Sequence, residues 1–185
     1  GKTPLPLVLV AHGMFRLPEH ALRTLVGQAP DEHMTLDFAA KHLPRFTDQR
    51  AILVAPLQFG DAGPHPLGEA DLLDVIDDVS RTWPVDPARV SLTGYSLGGT
   101  VAFVAPLHYP DRFAAAAPLC GYPNLMGYKS VASVDKTAWE PALLGREYIV
   151  NWAENGLYLP LHVVHGGKDT PERSRLVVDK YKDLG

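Results

Sequence analysis

The chain has 185 residues, 46% of them hydrophobic and 21% charged, the size and make-up of one globular domain that buries its own core without staples. Seventeen Lys and Arg against 21 Asp and Glu leave a net charge of −4, which argues against nucleic acid or an anionic membrane as partner and for a small molecule or peptide. No apolar run approaches the roughly 20 residues of a bilayer span, and the single cysteine, Cys120, excludes an internal disulfide or a zinc knuckle.

Leu5 to Ala11 (LPLVLVA) is a continuous apolar, β-branched run between Pro4 and Gly13, the pattern of a strand buried on both faces. Similar runs at residues 51–55, 90–93, 113–119 and 161–164, each closed within two residues by Gly or Pro, predict four more strands. Over residues 69–83, Leu72, Ile76, Val79 and Trp83 share one helical face, while Asp71, Asp74, Asp77 and Asp78 read as the solvated side of the same helix. Val177, Tyr181 and Leu184 repeat that spacing at the end, with Thr170 as N-cap and Pro171 at the first helical position. Fainter helical spacing lies at residues 31–43 and 138–155. Strand and helix in alternation predict a mainly parallel sheet with helices on both faces, an α/β fold. Functional groups then belong at the carboxyl ends of the strands. No linker or repeat interrupts the pattern, so residues 1–185 read as one domain, with the Pro/Gly-rich stretch 60–68 as a loop on the active edge. Gly1 in place of Met, a first apolar run too short for a signal peptide, and a close at Leu184-Gly185 just after a helical pattern lead to the expectation that this is an internal portion of a longer protein.

The chemistry concentrates where predicted strands end. Gly94-Tyr95-Ser96-Leu97-Gly98-Gly99 follows the run at 90–93 directly and opens a helical stretch. A serine at a sharp strand-to-helix turn takes a strained backbone, so the positions two before and two after must be small, as Gly94 and Gly98 are. The helix start behind Ser96 supplies the N–H of Leu97 for an oxyanion. His12-Gly13-Met14 ends the first run, and Met14 is the candidate second N–H donor; the plain alternative is a turn in which His12 only ties the loop. Asp169, after the run at 161–164, is placed to orient an imidazole. His162 and His165, three apart on a strand, face opposite sides, and with no HExxH or cysteine pair no metal site is expected. Cys120 reads as a small buried hydrophobe.

Residues 85–90 (VDPARV) leading into GYSLGG, residues 109–113 (YPDRF) with PLCG at 118–121, and LPLHVVHGGKD at 159–169 stand in the order found in α/β-hydrolases. The chain resembles, more narrowly, prolyl-oligopeptidase-type peptidases and the related feruloyl and polyhydroxybutyrate esterases. The resemblance covers nearly the whole chain and implies an α/β-hydrolase fold, no cofactor, Ser96 as nucleophile, Asp169 as triad acid, and Met14 with Leu97 as oxyanion donors, with His12, Gly13, Gly94 and Gly98 supporting them. Two departures stand out. Pro106 falls in the helix after the nucleophile and is expected to end or kink it. The family's catalytic histidine lies beyond one more helix and strand after the acid, and only 16 residues follow Asp169. None of the eight histidines, at 12, 20, 33, 42, 65, 108, 162 and 165, is expected to replace it. The base is expected from a segment beyond Gly185, and further strands before Leu5. The expectation is therefore a serine hydrolase acting on an ester or peptide through an acyl-enzyme, with a non-catalytic binding module or an acyltransferase as alternatives. Residues 122–155, with Tyr128, Trp139, Tyr148 and Trp152, are expected to cross above the active edge, their aromatics packing the segment down.

Overall fold

The computed structural model describes residues 3–27, 50–123 and 148–185. Its spine is a sheet of β1 (Leu5–Ala11), β2 (Ile52–Val54), β3 (Val85–Tyr95) and β4 (Ala115–Leu119), ordered β2-β1-β3-β4 with every pair parallel. β1 has the expected bounds. β3 starts before the predicted run because Val85 pairs with Leu5, after which the register slips. At the slip Asp86 folds the chain back on itself, taking the Ala88 N–H at 3.0 Å and Arg89 Nε at 2.6 Å.

The predicted strand at 161–164 is a broken one. It runs parallel to β4 and meets it at Leu161 and Val164 only, through bonds such as His162 N–H to the Ala116 carbonyl (2.9 Å) and Cys120 N–H to the Val164 carbonyl (2.7 Å). Between these two points stands Pro118, which has no N–H to continue the ladder.

Among the described residues four α-helices clothe the sheet: α1 (Pro18–Leu25), α2 (Pro66–Thr82), α3 (Leu97–His108) and α4 (Glu172–Leu184). Leu7, Leu9 and Ala11 are fully buried in a cluster with Leu72 and Ile76 of α2, Val101 and Phe103 of α3 and Val177 of α4. Every residue of α3 from Leu97 to Leu107 is buried, as befits a helix that is apolar all round. The opposite face is served by α1. There Val8, its register partner Ser91 and Ala115, the partner of Ser91 in β4, border with Leu25 a hollow of about 380 Å³, so burial of β1 on both faces is incomplete at Val8.

Details at the helix ends depart from expectation. α2 begins at Pro66, a residue pre-set for a first helical position. α3, by contrast, ends at His108, two residues past Pro106 and so near the place where that proline is expected to end it. At α4 it is Pro171 that stands at the N-cap, while the Thr170 hydroxyl donates to Asp169 Oδ1 at 3.2 Å instead of capping. The solvated-face reading fails for Asp71, whose Oδ2 accepts the Gln58 N–H at 2.8 Å, and Asp77 and Asp78 pair with Arg112 and Arg81. The helical stretch expected at 31–43 lies outside the described residues, as do Tyr128 and Trp139. Of 138–155, the described part forms a 3₁₀ helix, Ile149–Gly156, whose Trp152 packs edge-on to His108 with ring centroids 4.6 Å apart.

Candidate active site

β1 pairs with β2 on one side and β3 on the other, so the strand order reverses between β1 and β3, the place where open α/β sheets hold their ligands. Ser96 sits there, between the end of β3 and the start of α3, with φ 57° and ψ −119°. A left-handed φ costs a residue with a Cβ about 1–2 kcal/mol and persists only where neighbours enforce it. Here the Ser96 N–H donates to the Leu119 carbonyl and its own carbonyl accepts the Thr100 N–H, both at 3.0 Å. The flanking glycines are compulsory. A Cβ on Gly94 would stand 2.6 Å from the carbonyl carbon of Gly98, and one on Gly98 would stand 2.2 Å from the Ala11 oxygen. On the other side a Cβ at Gly99 would stand 2.4 Å from the Leu119 oxygen. The turn is thus wedged between the carboxyl ends of β1 and β4. Ser96 is exposed while Leu97, Gly98 and Gly99 are buried, and its hydroxyl caps no N–H of α3.

The described residues other than glycine with positive φ are Phe15, Gln58, Phe59, Ser96 and Cys120. Each follows the carboxyl end of β1, β2, β3 or β4, so the backbone strain lies along one edge, the pattern of a functional rim. Cys120 is half-buried at φ 42°, not the relaxed core residue expected.

The loop after β1 is held from two sides. His12 is 2% exposed, with Nδ1 2.9 Å from the Gly13 carbonyl and Nε2 3.0 Å from the Leu57 carbonyl; a neutral ring donates to one of the two. Gly13 has the Tyr95 ring against it, 2.8 Å from where a Cβ would lie. Met14 follows, partly exposed, and the Phe15 N–H donates to Asp61 Oδ1 at 2.9 Å. His12 therefore does tie the loop, the plain reading of that residue, and the start of that loop lies against the serine turn, where a Cβ on Gly98 would meet the oxygens of both Ala11 and His12.

Asp169 lies on the same edge one strand beyond β4, its side chain 59% exposed. Its Oδ2 is 2.9 Å from His165 Nε2, and His165 Nδ1 is 2.7 Å from the Ser174 hydroxyl, which donates to the Gly121 carbonyl at 3.1 Å. The hydrogen bond from His165, helped by the Thr170 hydroxyl, holds the Asp169 carboxyl below the usual carboxylate range. Gly121 in turn packs on Gly99, 2.4 Å from where its Cβ would lie to the Gly99 carbonyl carbon, so the acid's loop is braced against the serine turn.

Structure thus brings the loops of Ser96, Leu97, Met14 and Asp169 to one edge. Two histidines elsewhere are engaged: His20 accepts the Leu17 N–H, and His108 meets the Glu69 carboxylate at 3.0 Å. Asp61, Ser174 and the pairing of His165 with Asp169 escaped the sequence reading. The last had a signal, since HGGKD places the two side chains at either end of a tight turn closed by Asp169 N–H to the Gly166 carbonyl. Among the described residues no cluster of three His, Cys, Asp or Glu side chains is placed to hold a metal ion.

The family model described as "Putative esterase" matches residues 69–170, more than half of the chain and inclusive of Ser96 and Asp169. Poly(3-hydroxyalkanoate) depolymerase C of Paucimonas lemoignei is 38% identical over 68 residues, 36% of this chain; the match spans only 16% of the depolymerase. Among solved structures, FphF, a fluorophosphonate-binding serine hydrolase of Staphylococcus aureus, superposes with a TM-score of 0.67 at 17% identity, over all of this chain and 74% of its own. An acylaminoacyl peptidase superposes with a TM-score of 0.66 at 21% identity, over 98% of this chain and 31% of its own. At these identities the structural likenesses speak for the fold alone, and that fold is the α/β-hydrolase one expected.

Proposed function

The chain belongs to the esterase family whose model covers residues 69–170, and from that premise we propose that it carries the nucleophile, oxyanion donors and acid of a serine hydrolase that cleaves an ester or peptide bond through an acyl-enzyme. One observation carries the reading: Ser96 stands exposed at φ 57° on a turn locked by Gly94 and Gly98 at the head of α3. In this scheme the Ser96 hydroxyl attacks the acyl carbon and the negative oxygen is received by the N–H groups of Leu97 and Met14, aided by the positive end of the α3 dipole. The leaving group departs with a proton, and water then releases the acyl group.

A general base is needed, because a serine hydroxyl at its free pKa is a weak nucleophile. We assign that role to a histidine supplied from outside these 185 residues and oriented by Asp169. The support is that both ring nitrogens of His12 face backbone carbonyls, that the His165 nitrogen not facing Asp169 is turned to the Ser174 hydroxyl, and that His20 and His108 are bonded elsewhere. The 185-residue chain is then expected to turn over p-nitrophenyl acetate only slowly. Normal serine-hydrolase rates that vanish with Ser96→Ala would place the base within the chain. Fluorophosphonate labelling of the complete protein, mapped by peptide mass analysis, tests the nucleophile itself: label on Ser96 is expected, and label elsewhere or none overturns the assignment. An ester and peptide panel on the same protein decides between the two bond types.

A further inference from the structure

The loops after β1 and β2 carry an unusual choice of side chain. Phe15 and Phe59 have φ of 55° and 51°, a conformation that exposed loops normally give to Gly, Asn or Asp. Yet Phe15 is 87% exposed and Phe59 60% exposed, so neither ring gains core burial in return for its strained backbone. Leu57, also mostly exposed, and Met14, at the margin, stand in the same two loops.

The loops are fastened to each other and to α2. Asp61 takes the Phe15 N–H, the Leu57 carbonyl faces His12 and accepts the Gly60 N–H at 2.9 Å, and Asp71 takes the Gln58 N–H. Two carboxylates spent on backbone N–H groups make the unit stiff and leave its outward side apolar. It begins two residues past His12, whose carbonyl touches Gly98 of the serine turn. An apolar surface held on the same strand-end edge as the proposed nucleophile has the side-chain composition of a substrate subsite, where apolar walls surround a few placed polar groups; a strained backbone maintained at such a place points the same way.

We propose that Met14, Phe15, Leu57 and Phe59 form the subsite for an apolar group of the substrate, an alkyl chain or aromatic ring on the ester, and that Asp61 is the positioning residue that holds the subsite in shape. The proposal deepens the reading of Ser96 as nucleophile and rests on it for the identity of the ligand as an ester. Short polar esters gain nothing from this surface, so selectivity follows the apolar area of the substrate.

Binding is read without turnover by titrating ethyl octanoate and ethyl acetate into the ¹⁵N-labelled Ser96→Ala chain. The expected result is that the amide signals of Phe15 and Phe59 shift with octanoate at concentrations at least tenfold lower than with acetate. Adding Phe15→Ser with Phe59→Ser is expected to remove that preference. Asp61→Ala is expected to weaken it severalfold, and Asp61→Asn to keep it, because the amide oxygen still accepts the Phe15 N–H. Equal affinity for the two esters, or octanoate shifts confined to other residues, would overturn the proposal. If Asp61→Asn behaves as Asp61→Ala, the positioning role of the residue falls. Fluorophosphonate labelling of the unmutated protein separates the two readings: octanoate preference without label refutes Ser96 as nucleophile and leaves the apolar site standing, and label without preference does the reverse.

Discussion

Replacing Gly98 by Ala sets two effects of opposite sign against each other. Ala is favoured over Gly within a helix by about 0.8–1 kcal/mol, and Gly98 is the second residue of α3, so local propensity alone predicts a stabilised protein. Tertiary packing predicts the reverse. The new Cβ would lie 2.2 Å from the Ala11 oxygen, 2.6 Å from its carbonyl carbon and 2.8 Å from the His12 oxygen, whereas carbon and oxygen ordinarily come no closer than about 3.3 Å. The overlap is therefore about 1 Å, and it falls on backbone. Ala11 is fully buried and paired with Gly94 in β3, so relief requires moving a central strand or the helix, not a side chain. Overpacking of a tight core costs about 1–3 kcal/mol; a backbone collision belongs at the upper end, which leaves a net loss of about 2 kcal/mol after the propensity gain. For a chain of this size that lowers Tm by about 4–8 °C. Urea melts followed by circular dichroism measure it, with Gly166→Ala as the control, since a Cβ there meets nothing within 4 Å and a change within about 0.5 kcal/mol is expected. A Gly98→Ala protein as stable as the parent would refute the wedged geometry on which the serine turn depends.

The Tyr181 hydroxyl is buried without a partner, and burial pushes its pKa up to about 12. Tyr181→Phe removes an unpaired group and is expected to match or exceed the parent in stability at pH 8. Because the folded-state value is raised above the free one, this group's contribution is intact below pH 10 and is lost as pH climbs from 10 toward 12, so urea midpoints should fall more in the parent than in Tyr181→Phe over that interval. Asp169 runs the other way: its folded carboxyl is depressed, so its contribution is present above the free value near pH 4 and lost as pH drops through the folded one. Stability curves of parent and Asp169→Asn should therefore converge in acid, and a gap that stays constant to pH 2 would contradict the His165 bond. The Thr100 hydroxyl, 1% exposed, accepts the Tyr122 N–H at 2.9 Å, so Thr100→Val is expected to lose about 1–3 kcal/mol by stranding that donor, read as a lower urea midpoint.

How much of this was legible in the amino-acid order differs by type of feature. β1 is bounded as predicted because its signal is local: seven apolar residues between a proline and a turn. The serine turn is local as well, since a strand, a spaced pair of glycines and a helix lie within some fifteen consecutive residues; the collision of Gly94 with Gly98 follows from that chain path, whereas that of Gly98 with Ala11 comes from the neighbouring strand. The break opposite Pro118 was equally present in the letters, but only the pairing of β4 with residues 161–164 reveals which N–H is missing. Asp71 looked solvent-facing because helical spacing reports a face and not its neighbours; the β2 loop folds back to use it.

What the order of residues determined by itself was the alternation of strand and helix and the placing of Ser96, Leu97, Met14 and Asp169 at strand ends, all of it decided by side-chain size and hydrophobic period over short distances. The tertiary structure alone decided which loops share an edge. Asp61 reaches Phe15 across 46 positions, and Ser174 reaches Gly121 across 53. Such contacts leave no periodic trace, because a single hydrogen bond between distant loops constrains one donor and one acceptor and nothing on either side of them.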